Sequence, residues 1–109
     1  MPARKLLFIC SQNKLRSPTA ETIFADTPGI EADSAGLNHD AIVPLSPEQL
    51  AWADVILVME STHRNRLARH HGASLKGKRV AVLNIPDNYD YMDQELIRIL
   101  KVKCAPYLP

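Results

Sequence analysis

The apolar and polar positions of the chain fall into blocks that predict alternating strands and helices. Lys5-Leu6-Leu7-Phe8-Ile9-Cys10 is a short continuous apolar run that stops abruptly at polar residues, the pattern of a strand buried on both faces. Ser17-Pro18 then sets a hydroxyl at a helix N-cap and a proline at the first helical position. Ala20, Ile23 and Phe24 give that helix one apolar face, and Thr27-Pro28-Gly29 ends it. Ile30 to Ala35 alternates weakly, as a short strand does, and Gly36 closes it.

Ser46-Pro47-Glu48-Gln49 repeats the hydroxyl-and-proline start with a glutamine three residues on, a capping box for a helix ending near Trp52-Ala53. Asp54 to Met59 is the most strand-like run of the chain. Ser61 is placed to cap a helix through His70 with Gly72 as its stop, and Arg79 to Asn84 reads as another strand. A last helix from about Asp93 to Lys103 carries Leu96, Ile97 and Leu100 on its apolar face, and Lys101 and Lys103 suit its C-terminal dipole. This order predicts an α/β fold, a four-stranded parallel sheet with helices on both faces.

At 109 residues, 46% hydrophobic and 23% charged, the chain reads as one domain over residues 1–109 that commits nearly all its apolar stretches to a single core. The formal charge of +1 and the dispersed basic residues exclude a nucleic-acid-binding stripe. The densest basic stretch, His63 to His71, reads as a solvated helix face. His63 and His70 have no carboxylate partner and His70 and His71 point to different faces, so no metal is expected. No apolar run reaches the length of a membrane span, and Met1-Pro2-Ala3-Arg4-Lys5 leads into the first strand without a cleavage-site pattern; the expectation is a cytoplasmic protein. Cys10 and Cys104 are too few for a disulfide framework, so each is either buried filler or a reactive thiol.

The surroundings of Cys10 favour reactivity. In an open parallel sheet, ligands bind outside the carboxyl ends of the strands, and Cys10 ends the first strand there. Ser11-Gln12-Asn13-Lys14-Leu15 follow, then Arg16 and Ser17. A loop of that length can curl round a tetrahedral anion with its N–H groups inward, helped by the dipole of the following helix, while Arg16 supplies a planar fork for two oxygens. The same field favours a thiolate over a thiol. Ser17 can donate a hydrogen bond to the sulfur, and Asn13 tolerates the left-handed backbone such a loop needs. These features point to nucleophilic attack of Cys10 on a phosphoryl group bound by residues 11–17.

Transfer to sulfur also needs an acid for the leaving oxygen. Asp87 follows the fourth strand at the same sheet edge and is preferred over Asp90, an ordinary turn residue, and Asp93, the cap of the last helix. Tyr89 and Tyr91 are candidates to wall the pocket or to anchor their loop on the core.

With Leu7-Phe8-Ile9-Cys10, Arg16-Ser17-Pro18-Thr19-Ala20-Glu21, Asp33-Ser34-Ala35-Gly36, Ala53-Asp54-Val55-Ile56 and Val58-Met59 in place, the chain resembles the low-molecular-weight protein tyrosine phosphatases, most closely their short bacterial relatives. The resemblance runs nearly end to end. It implies phosphomonoester hydrolysis in two steps, with Cys10 as nucleophile, Arg16 on the phosphate, Asn13 and Ser17 holding loop and thiolate, and Asp87 as general acid. It implies no cofactor, a phosphorylated protein or small phosphomonoester as substrate and phosphate as product, and it sets no oligomeric state. Leu15 stands where the family often has a second cysteine, Gln12 replaces a usual glycine, and Asn88 replaces a proline. Two rivals use the same loop. An arsenate reductase needs a relay of thiols, of which only Cys104 is available, and a phosphate- or phosphopeptide-binding module needs neither Asp87 nor Ser17.

Overall fold

A computed structural model describes residues 3–109; Met1 and Pro2, which open the stretch searched for a cleavage site, lie outside them. The elements run β1 (Arg4–Cys10), α1 (Arg16–Phe24), β2 (Ile30–Gly36), α2 (Pro47–Trp52), β3 (Val55–Val58), α3 (Ser61–His71), β4 (Arg79–Val82) and α4 (Gln94–Cys104). The strands form one parallel sheet in the order β2-β1-β3-β4, with Leu6 of β1 opposite Ala32 on one side and Val55 on the other. Fold class, strand order along the chain and helix count agree with the sequence pattern.

The apolar run of β1 divides by its two-residue period. Leu6 and Phe8 pack with Phe24, Leu96, Leu100 and Cys104 from α1 and α4, whereas Leu7 and Ile9 pack with Leu50 and Leu67 from α2 and α3. Leu6, Leu7, Phe8 and Ile9 are all fully buried. Burying each such side chain contributes about 1.5–3 kcal/mol, so the strand that carries Cys10 is firmly held. Because β1 lies between β2 and β3, its crossovers leave in opposite directions, and a crevice opens at the carboxyl ends of β1 and β3.

Four local expectations are corrected. Ser17 is not the cap of α1: the helix begins at Arg16 after Leu15, with no side-chain cap, because the Ser17 hydroxyl is drawn to Cys10. Glu60 rather than Ser61 is the N-cap of α3, and its amide donates to His63 Nδ1. Gly72 is right-handed and continues into a 3₁₀ turn, Gly72–Leu75, and the left-handed glycine that follows α3 is Gly77 at φ 79°. On α4 the buried residues are Leu96, Leu100 and Cys104, with Ile99 against the core and Ile97 only half-buried. The capping box of Ser46 and Gln49 and the Asp93 cap form as expected.

Candidate active site

The segment from Cys10 to Arg16 is shaped by what takes its carbonyls. The carbonyl oxygens of Cys10, Ser11 and Gln12 accept from the amides of Leu37, Asn38 and Ile42 at 2.9, 2.9 and 3.0 Å. The carbonyls of residues 10–12 are therefore turned toward residues 37–42. Among the described residues, none of the amides of residues 11–15 has a hydrogen-bond acceptor within the protein. A run of free N–H groups in a loop before a helix attracts an anion. Asn13 makes the turn at φ 55°, the left-handed geometry anticipated for it. Gly36 is needed for the close approach: a Cβ there would lie 2.6 Å from the Ser11 carbonyl oxygen and 2.9 Å from the Asn13 nitrogen.

A buried chain of hydrogen bonds ends on the sulfur. The Ser34 hydroxyl donates to the Glu21 carboxylate, and the Asn13 amide donates to Ser34 Oγ at 2.9 Å and to Ser17 Oγ at 3.0 Å. Ser17 Oγ, already accepting, has its own proton free for Cys10 Sγ, 2.9 Å away. The chain of donors thus ends at the Cys10 sulfur.

Arg16 is nearly fully buried, 3% exposed, and its Nη1 donates to Glu60 Oε2 at 2.7 Å and to the Ile85 carbonyl at 2.6 Å. Both Nη1 protons are spent, which leaves the Nε and Nη2 edge as a two-pronged donor for an oxyanion. Glu60 and His63, neither anticipated as site residues, hold both ends of the loop. His63 Nδ1 accepts from the Glu60 amide at 3.1 Å, so the neutral ring carries its proton on Nε2, 3.0 Å from Ser11 Oγ. Burial pushes the His63 imidazole below its ordinary value of 6.5, helped by the nearby Arg16 cation. The expected solvated face of α3 holds for Arg64, Arg69 and His70, but His63 is buried and Arg66 half-buried. A histidine three residues after an acidic residue at the end of a buried strand was the available signal.

A cavity of about 130 Å³ lies over the thiol, lined by Cys10, Ser11, Gln12, Lys14, Leu15, Arg16 and Asp87. Asn13 and Ser17 sit behind it, buried. Of the three candidate carboxylates only Asp87 lines this cavity, with Oδ1 3.6 Å from Arg16 Nε; Asp90 is exposed and Asp93 caps α4. Tyr89 packs half-buried against the core and does not line the cavity, and Tyr91 is exposed with its hydroxyl 3.0 Å from Thr22 Oγ1. Cys104 is buried, and burial pushes its thiol up to about 12. No cluster of three or more potential metal ligands and no helix long and apolar enough to cross a membrane occurs among the described residues.

Protein-family models and curated proteins give no match to the sequence. Solved structures do. The tyrosine phosphatase Wzb of Escherichia coli, in complex with phosphate, superposes with a TM-score of 0.77 at 20% identity, covering 96% of each chain. A low-molecular-weight protein tyrosine phosphatase of Streptococcus pyogenes gives 0.77 at 15% identity, over 95% of this chain and 90% of that one. The fold is that of the low-molecular-weight tyrosine phosphatases. The same fold serves a different phosphoryl bond in YwlE, an arginine phosphatase of Geobacillus stearothermophilus, which matches with a TM-score of 0.73 at 20% identity over 95% of this chain and 92% of that one.

Proposed function

We propose that the chain is a phosphomonoester hydrolase, acting on phosphotyrosine or related aryl phosphates through a phosphocysteine at Cys10. The observation that carries this reading is the run of unpartnered amides, residues 11–15, that follows a sulfur already facing the Ser17 hydroxyl. The amides and the free edge of Arg16 hold the phosphate, and the Cys10 thiolate attacks phosphorus. The ester oxygen leaves with a proton from Asp87. The Asp87 carboxylate then takes a proton from water, which attacks the phosphocysteine, releasing inorganic phosphate and the thiolate. Among the similar structures, Wzb of Vibrio vulnificus is in complex with benzylphosphonate, whose aryl group and phosphonate suit this substrate class. A non-catalytic binder has no use for a hydroxyl on the sulfur, and Cys104, buried and strongly disposed to stay a thiol, makes a poor relay for arsenate reduction.

The test is a series of aryl phosphates turned over in buffer containing methanol. A phosphocysteine common to all substrates yields the same ratio of methyl phosphate to inorganic phosphate whatever the leaving group, and Cys10→Ser reduces turnover to background. A ratio that follows the leaving group, or an active serine variant, defeats the proposal. Phosphoarginine run beside the aryl esters assigns the phosphoryl bond, with preference for the aryl ester expected.

A further inference from the structure

Beside the loop lies a second, larger cavity of about 440 Å³ that the proposed chemistry does not use. Gln12 lines both cavities, so the two adjoin at this residue. Its other polar walls are Asn38, His39, Asp40, Arg66, His70 and His71. Arg66 is half-buried, and its Nη2 donates to Asn38 Oδ1 at 2.7 Å, while the Asn38 amide donates to the Ser11 carbonyl. The guanidinium is therefore tied, through one residue, to the segment that shapes the anion loop. Among the described residues it has no carboxylate partner, and its remaining N–H donors face no protein acceptor. Asp40, the single carboxylate of the cavity wall, is exposed and makes no ion pair with it.

From the cavity, the anchored cation and the three imidazoles we infer that this is a subsite for a second anionic group of the same substrate, an acidic side chain beside the phosphorylated residue. The inference rests on the phosphatase reading and adds the substrate class: phosphorylated segments flanked by negative charge. Arg66 meets the flanking anion with the donors left free by Asn38, and the imidazole N–H groups complete its surroundings. Gln12, uncharged, forms the ridge between the two anions, where a carboxylate would repel both.

The test compares kcat/KM for three phosphotyrosine peptides that differ in one flanking residue, glutamine, glutamate or phosphoserine, with phenyl phosphate as a substrate too small to reach the subsite. The glutamate peptide is expected to exceed the glutamine peptide by about tenfold, the worth of one hydrogen bond to a charged group. That ratio should fall to near one in Arg66→Met and be largely kept in Arg66→Lys. The phosphoserine peptide shows whether a second phosphate serves as well as a carboxylate, and a preference for it that Arg66→Met abolishes also supports the subsite. Equal rates on all three peptides, or a preference untouched by Arg66→Met, overturn the inference while phenyl phosphate turnover leaves the phosphatase reading standing. A chain that turns over none of the four substrates removes both.

Discussion

Two carboxylates reach Arg16, and they do different work because their surroundings differ. Glu60 binds the buried Nη1 and belongs to the frame, whereas Asp87, with a side chain 64% exposed, stands 3.6 Å from Nε at the cavity mouth. In the proposed function Asp87 is the group placed to protonate the leaving oxygen. Asp87→Asn is expected to slow turnover roughly a hundredfold on aryl phosphates with poor leaving groups, the scale of general-acid catalysis. The loss should shrink as the leaving group improves. Asp90→Asn should show a small loss with no such trend, since Asp90 contributes only a carbonyl to the turn that precedes α4. Pre-steady-state rates across the series decide between them, because hydrolysis of phosphocysteine can mask the first step. The opposite pattern, with the trend in Asp90→Asn, reassigns the acid.

At the scale of elements, what could be read from the chain was what is encoded locally. The buried run of β1, the Ser46 and Gln49 box of α2 and the left-handed Asn13 are each specified by a few neighbouring residues. What escaped depends on pairs distant in sequence: Arg16 with Glu60, Ser11 with His63, and Gly36 against the loop. Ser17 is a mixed case: its hydrogen bond to the Cys10 sulfur was legible in the chain, whereas the cap role its local pattern also suggested is not taken up, because the one hydroxyl cannot serve both. Gly36 offers a test of this packing. A Cβ there would meet Ala41 Cβ at 2.5 Å as well as the Ser11 carbonyl and the Asn13 amide, and backbone atoms cannot swing aside as a side-chain tip does. Gly36→Ala is expected to cost about 1–3 kcal/mol of stability, as overpacking does, and to weaken phosphate binding at least tenfold by deforming the loop. Denaturant unfolding and phosphate titration check the two parts. A variant with unchanged phosphate affinity shows that the end of β2 does not shape the loop.

For the whole molecule, one imidazole links the site to the stability of the fold. His63 joins the start of α3 to the loop: its Nδ1 receives the Glu60 amide and its Nε2 faces Ser11, while Glu60 holds Arg16. A proton added at Nδ1 removes the acceptor for that amide and loosens the helix start that anchors both ends of the loop. The groups around the ring favour the neutral form, since burial and Arg16 outweigh the opposing pull of Glu60, and the folded value lies below 6.5. The sign follows. Above about 6.5 both folded and unfolded chains carry neutral His63 and its titration adds no pH dependence; below it the unfolded chain binds a proton that the folded one resists. Stability is therefore lost as pH falls below 6.5, with a slope from this group of at most about 1.4 kcal/mol per pH unit. His63→Gln, which keeps a donor and an acceptor but cannot titrate, should be less stable at pH 7.5 yet flatter between pH 7 and 5.5. Urea unfolding of both proteins across that range gives the difference in slope, in which every other titrating group common to the two cancels. Parallel curves mean that His63 gains its proton as readily folded as unfolded, and that the ring does not hold the loop through its neutral form.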